Sequence, residues 1–252
     1  MEIKKAVITS AGKATRMRYI SNVIPKALLP MFRIEDGQRF MRPAIDLIMD
    51  SLKSAGIQQF GVVLGARSKL LADYLFETNI TIMFQKDPKG FGDAVLKSEE
   101  FVGDDAFFVH ADDNFVVSGY REASQIFAEL NPDCLLFLKK VDNPKSFGIA
   151  DAQFVSEMHG HKVYSVRGTE EKPDNPKSDL GICAMYIFSP KIFEKLHSIK
   201  VEGELQLTAG IAKLIEDNCK VYGMLLNENE TWLDLGNPDS YFETLKYSYT
   251  KM

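Results

Sequence analysis

Two groups of side chains in this 252-residue chain are of the types that handle phosphates. The first is a loop. The apolar run Ala6-Val7-Ile8 breaks into Ser10-Ala11-Gly12-Lys13-Ala14-Thr15-Arg16, and a polar stretch then closes on Pro25-Lys26 ahead of Leu28-Leu29-Pro30. Small residues after a buried strand let backbone N–H groups approach a ligand closely. Arg16 and Lys26 bracket that loop with two fixed positive charges, which is the form of a site for a polyphosphate nucleotide. It is not a P-loop, because Gly12-Lys13-Ala14-Thr15 lacks the spacing G-x-x-x-x-G-K-[ST]. The second group is Asp112-Asp113, a carboxylate pair at the end of the apolar run Phe107-Phe108-Val109. Mg²⁺ takes one or two carboxylates together with phosphate oxygens and water, so Asp112 is a candidate ligand. Asp104-Asp105 is a useful contrast: it follows Gly103 between a helix and a strand and reads as a solvated turn.

The elements that must position these groups alternate through the first half. Residues 5–9, 60–65, 81–85, 106–112 and 134–141 read as strands. Residues 43–55, 68–77, 90–102 and 120–130 read as helices or as loops leading into them, with Pro43 in a first turn and Gly56 as a stop. Alternating β and α with continuous apolar strands predicts a mostly parallel, Rossmann-like α/β sheet flanked by helices. Ligands in such sheets lie beyond the carboxyl ends of the strands, where both the opening loop and Asp112 fall. The second half is richer in strands with short links, followed by helical patterns at 191–199 and 207–218 and a closing helix over 237–252. A single domain over 1–252 is expected, with a nucleotide-facing half (about 1–142) and a substrate-facing half (about 143–252).

Composition narrows the partners. Hydrophobic residues make up 45% and charged residues 26%, ordinary for a globular protein. The net charge is −5 with no basic block, which argues against nucleic acid. No apolar run reaches the length of a membrane span, and Met1–Thr9 has no signal-peptide core. Cys134, Cys183 and Cys219 lie far apart and are expected to be reduced thiols of a cytoplasmic protein. His159-Gly160-His161 reads as a hairpin turn, and His110 as a buried histidine. The aromatic closing helix (Tyr241, Phe242, Tyr247, Tyr249) reads as packing and could also carry a homo-oligomer contact.

Segments along nearly the whole chain, taken in order, resemble the sugar-1-phosphate nucleotidyltransferases. The opening loop is similar to that family's A-G-G-x-G-T-R, spacer, P-K-x-L-L-P at Ala11, Gly12, Thr15, Arg16, Pro25, Lys26, Leu28, Leu29 and Pro30, with Ala14 in place of the second glycine and Tyr19 in place of a proline. Gln85 to Ala94 resembles Q-x-x-P-x-G-x-x-x-A, in the form closest to the UTP-glucose-1-phosphate branch. Ala111-Asp112-Asp113 resembles G-D-D. Phe147-Gly148-Ile149 resembles Y-G-V, and Glu171-Lys172-Pro173 the E-K-P motif, with Asp179 and Ala184 replacing an asparagine and a glycine downstream. Gly203 to Thr208 matches G-E-x-Q-L-T, followed by Ala209 instead of an aspartate, and Trp232 to Gly236 resembles W-x-D-x-G.

The resemblance implies Mg²⁺-dependent transfer of a nucleotidyl group from a nucleoside triphosphate, UTP favoured, to a sugar-1-phosphate, glucose-1-phosphate favoured. It implies Ala11, Gly12, Thr15, Gln85 and Gly90 on the nucleotide. It implies Gly148, Glu171, Lys172 and Glu204 on the sugar phosphate, and Asp112 and Asp234 on the metal. Arg16, Lys26 and Lys172 would neutralise the reacting phosphates. dTTP is an alternative, since a glutamine amide does not read the thymine methyl. A nucleotide-sugar-binding regulator without turnover is a second alternative, motivated by Ala14, Tyr19 and Ala209. No fused hexapeptide-repeat acyltransferase is expected.

Overall fold

The first strand is β1 (Lys5–Ser10), whose Ala6, Val7 and Ile8 are fully buried. The computed structural model describes residues 2–12, 15–200 and 203–252, so the expectation attached to Ala14 lies outside the described residues. After β1, two short 3₁₀ turns (Thr15–Asn22 and Lys26–Leu28) lead into a hairpin of β2 (Pro30–Glu35) and β3 (Gln38–Pro43). Its tip, Asp36-Gly37, has positive φ at both residues, the geometry that favours this dipeptide in tight hairpins. The sequence reading assigns no element to residues 31–42 and starts the next helix at Pro43. Pro43 instead ends β3 and stands just before α1 (Ala44–Ser54).

β4 (Gln59–Gly65), α2 (Lys69–Leu75) and β5 (Ile80–Gln85) follow. The single helical segment expected over 90–102 is two short pieces, α3 (Phe91–Leu96) and α4 (Glu99–Val102), separated at Ser98, whose buried hydroxyl donates to Val95 O. β6 (Phe107–Ala111), β7 (Asn114–Val116), α5 (Tyr120–Leu130) and β8 (Cys134–Lys140) complete the first half. The second half contains β9 (Gly148–Met158), β10 (His161–Glu171), β11 (Leu180–Phe188), α6 (Lys191–Ser198), α7 (Leu207–Glu216), β12 (Val221–Leu225), β13 (Trp232–Asp234) and α8 (Pro238–Lys251). Asn237 accepts hydrogen bonds from Asp239 N and Ser240 N, with Pro238 in the first turn, so α8 starts on a complete cap.

One nine-stranded sheet runs through both halves in the order β5-β4-β1-β6-β11-β8-β12-β10-β9. β5, β4, β1 and β6 are parallel, as the alternation predicts, and β8 pairs with β12 in parallel. β11 inserts antiparallel between β6 and β8, and β9 and β10 form an antiparallel arm. Ala184 interrupts the β11–β8 register with φ of +55°, a left-handed conformation at the position where the resembled family has glycine. Buried apolar side chains fill both faces of this sheet. β13 pairs only with β7, as a small ribbon beside the sheet.

The His159–His161 hairpin is a turn as expected, yet each histidine finds a carboxylate distant in sequence. His159 pairs with Glu129, and buried His161 with Glu230 at 2.8 Å. Glu230 also accepts from Ser118 Oγ and Asn227 N, and Lys139 Nζ donates to the carbonyls of Asn227 and Glu230. This network anchors the loop that delivers β13. The cysteines are free thiols, two of them buried. Among the described residues no helix is long and apolar enough to cross a membrane.

Candidate active site

The carboxyl end of β1 opens over a cavity of about 410 Å³, and a second of about 220 Å³ adjoins it. Ala11, Gly12, Thr15, Arg16, Lys26, Gln85, Gly90, Asp112, Lys172 and Glu204 line the larger one. Gly148, Glu171 and Asp234 line the smaller, and Arg16 and Lys172 border both. Every residue expected at the site is therefore on one continuous hollow. Glu204, expected with the sugar group, stands on the larger cavity with the nucleotide group instead.

Each wall has a local cause. Gly65, at the end of β4, lets Ala11 approach so closely that a Cβ there would lie 2.9 Å from Ala11 O. Ser68 ties the same corner, donating to Ser10 O and accepting from Gly65 N. Gly90 has φ of +104°, and a Cβ on it would lie 2.4 Å from Leu205 O. The backbone pairs Gly92 N with Leu205 O (2.8 Å) and Leu205 N with Lys89 O (2.7 Å). This clasp carries Glu204 and Gln206 to the rim. On the smaller side, β9 and β10 end at the Gly148–Glu171 pair, and Lys172 N donates to Phe147 O. Lys172 then turns out with φ of +44°, its ammonium 3.6 Å from Glu171 and largely in solvent.

The floor is acidic. Asp112 accepts from Ser10 Oγ and from the Ala27 backbone N–H. Asp113 accepts from Lys26 Nζ at 2.7 Å in a mostly buried ion pair, and from Asn114 Nδ2 at 2.7 Å. Asn114 in turn accepts from Trp232 Nε1, and the β7–β13 register sets Asp234 opposite Asn114. Asp234 Oδ1 accepts from Gly236 N, and the Arg16 guanidinium lies against Gly236, within 3.0 Å of where a Cβ would stand. His110 beneath is fully buried between Ala111 O and Tyr120 Oη, and burial lowers its pKa to about 4, so it is neutral.

Among known proteins, the family model described as nucleotidyl transferase matches residues 5–250. This chain belongs to the nucleotidyl transferase family. It is 30% identical over 247 residues to a low-salt glycan biosynthesis nucleotidyltransferase of Haloferax volcanii, and 30% identical over 246 residues to a glucose-1-phosphate thymidylyltransferase of Streptomyces griseus. Those matches cover 95% of this chain and 64% of each relative. A putative UTP–glucose-1-phosphate uridylyltransferase of Bacillus subtilis is 28% identical, with 96% of both chains covered. In fold the chain is similar to a UDP-glucose pyrophosphorylase solved with UDP-glucose (TM-score 0.84, 23% identity, 99% and 100% covered).

Several groups that the fold brings to the hollow carry no site assignment from the sequence. Asp113 is visible as half of the carboxylate pair, but its pairing with Lys26 spans 87 residues. Gln206 lies inside the G-E-x-Q-L-T match and borders both cavities. Phe147 packs on Trp232 with ring centres 5.4 Å apart, closing the smaller cavity. Tyr19 is almost fully exposed, and Ala209 faces solvent on α7, so neither touches the hollow.

The donor set fits a hard cation completed by phosphate oxygens, with Asp112 and Asp234 supplied from adjoining segments. Among the described residues no cluster of three or more His, Cys, Asp or Glu side chains makes a full protein cage. Asp112 carries a pH signature of this arrangement. Burial, then the neighbouring Asp113 charge, push its carboxyl up to about 6, while Ser10, Lys26 and Ala27 oppose the rise. A carboxyl raised on folding contributes stability that is complete below its ordinary value of 3.8 and is lost as pH climbs through about 6. Asp112→Asn is therefore expected to stabilise the cation-free protein at pH 8 by about 1–3 kcal/mol, and to change little at pH 4. Urea unfolding in a chelator at the two pH values measures this, and equal effects at both would contradict it.

Proposed function

We propose that the chain transfers a nucleotidyl group from UTP to glucose-1-phosphate. An oxygen of the sugar phosphate attacks the α-phosphorus, a new P–O bond forms there, the bond to the β-phosphate oxygen breaks, and pyrophosphate leaves. The observation that carries the reading is the joined pair of cavities, with Arg16 and Lys172 on both and the acidic floor between them. Both reactants are anions, so the protein's task is alignment and charge neutralisation, with no protein nucleophile.

In this reading the small residues Ala11 and Gly12 admit the triphosphate, and Gln85 with Gly90 hold the base. Arg16 faces the departing pyrophosphate and Lys26 the phosphates at the reacting centre. Lys172, held out on a left-handed residue, receives the sugar phosphate, whose hydroxyls meet Glu171 and Gly148. Glu204, standing over the larger cavity, contacts the sugar from the nucleotide side. A divalent cation, Mg²⁺ by its oxygen ligands, would be held by Asp112 and Asp234 and would neutralise phosphate charge when bound.

A second reading, dTTP as the donor, has its own support in the thymidylyltransferase relatives at 30% identity. Pyrophosphate release measured with UTP and dTTP, each crossed with several sugar-1-phosphates, separates the two. Release is expected to be fastest with UTP and glucose-1-phosphate and to stop in a chelator. Faster release with dTTP transfers the assignment to thymidylyl transfer, and tight binding with no release from any pair removes the enzymatic reading.

A further inference from the structure

Gln85 ends β5 with its side chain buried, and one end of its amide is fully engaged. Nε2 donates to Gly90 O at 3.0 Å and to the Asp93 carboxylate at 2.7 Å. An amide nitrogen carries two hydrogens, so neither remains free. Both partners are pure acceptors. A rotated amide would set its own oxygen against a carbonyl and a carboxylate, so chemistry alone fixes the orientation. Lys97, one turn along from Asp93, pairs with the other carboxylate oxygen at 3.1 Å and holds it in place.

What Gln85 can still offer the larger cavity is Oε1, an acceptor. Gly90, on the same wall, has a backbone N–H with no acceptor among the described residues. An acceptor beside a donor is the complement of an imide edge, a ring N–H next to a carbonyl, as in uracil, thymine and guanine. Cytosine and adenine present the inverse: a ring nitrogen acceptor next to an amino donor. Held in the same orientation by the ribose and phosphates, they would place acceptor on acceptor and donor on donor, a repulsive mismatch of the kind that gives specificity.

Resting on the proposed nucleotidyl transfer for what occupies the cavity, we infer that Asp93 is a positioning residue that selects imide bases by locking the Gln85 amide. It lies three residues beyond Gly90, faces the amide from behind, and does not border either cavity. Without the carboxylate only Gly90 O holds the amide, and an asparagine at 93 can donate to a rotated Oε1. The acceptor-on-acceptor half of the mismatch then lifts, while the Gly90 N–H remains a donor.

The test is the ratio of dissociation constants for UTP and CTP, measured by titration calorimetry at one Mg²⁺ concentration on wild type, Asp93→Asn and Asp93→Glu. Wild type is expected to prefer UTP at least about tenfold, and Asp93→Asn to lose part of that preference, with tighter CTP binding. Asp93→Glu, which keeps the acceptor, is expected to restore much of it. A merely structural role would weaken both nucleotides alike and leave the ratio unchanged. Should Asp93→Asn fail to fold, Asp93→Ser removes the carboxylate with less bulk. An unaltered ratio in a folded variant, or a wild type that binds both nucleotides equally, overturns the inference while leaving nucleotidyl transfer standing. Selective UTP binding without pyrophosphate release removes the transfer reading and leaves Asp93 in its role.

Discussion

Replacing Lys26 with alanine is expected to lower turnover by about a hundredfold, roughly 2.7 kcal/mol of barrier. The ammonium is almost wholly buried and pairs with Asp113 at 2.7 Å, so it is held at the floor of the larger cavity before any ligand arrives. A polyphosphate there meets a cation whose position is already set, the condition under which electrostatic stabilisation is strongest. Removing the charge also strands Asp113 beside Asp112. Two adjoining carboxylates without a counter-ion lose stability by about 3–5 kcal/mol when the pair is truly buried. Fold and function are separated by Lys26→Ala combined with Asp113→Asn, which relieves the repulsion without returning a cation. The double variant is expected to recover most of the lost melting temperature and none of the lost turnover. Steady-state pyrophosphate release and thermal unfolding on the same samples decide it. Turnover within threefold of wild type in Lys26→Ala would count against a role at the phosphates.

Gly90→Ala carries the second large effect. The new Cβ would stand 2.4 Å from Leu205 O and 2.8 Å from Leu205 N, on a residue with φ of +104°. Backbone cannot yield as a flexible side chain does, so the clasp between Lys89–Gly92 and Leu205 must open. Strain and clash together are expected to cost about 2–4 kcal/mol of stability. Nucleotide binding is expected to weaken by tenfold or more, because Gly90 is displaced from the wall proposed to hold the base. Gly203→Ala is the control: φ is +116° there, yet nothing lies within 4 Å of the added carbon. The excess loss in Gly90→Ala over Gly203→Ala, read by urea unfolding and UTP titration, isolates the clasp. Equal losses in the two variants would mean that the backbone conformation alone matters.

Much of this architecture is legible in sequence because its signals are local. Continuous apolar runs mark β1, β4, β6 and β8, and the turn after β1 announces a ligand-facing edge. Motif order then collects thirteen candidate residues that all reach one hollow. What escapes is set by distant partners. Nothing within residues 180–188 says that β11 enters antiparallel between β6 and β8, since strand order depends on pairings half a chain away. Glu204 shifts to the larger cavity because Leu205 bonds to Lys89 and Gly92. Gln85 looks like a free amide until Asp93 and Gly90 are seen to hold its nitrogen. The β2–β3 hairpin is a different case. Its Asp36-Gly37 tip is a strong short-range signal, readable from the flanking residues alone.

The ribbon of β7 and β13 also bears on when the site comes into being during synthesis. Arg16 and Lys26 emerge early and Asp112 midway, but Trp232 reaches Asn114 across 118 residues and Asp234 arrives with it. Helix α8 then fastens the β2–β3 hairpin that follows Lys26: Tyr241 Oη donates to Pro30 O, and Ser248 Oγ accepts from Phe32 N. Contacts of such separation close last, after nearer pairings have reduced the entropy of the intervening chain. By this connectivity, a ribosome-bound chain can assemble most of the nine-stranded sheet, with Lys26 already on Asp113, before Asp234 reaches the hollow. Completion of the hollow is thus coupled to the arrival of β13 and α8.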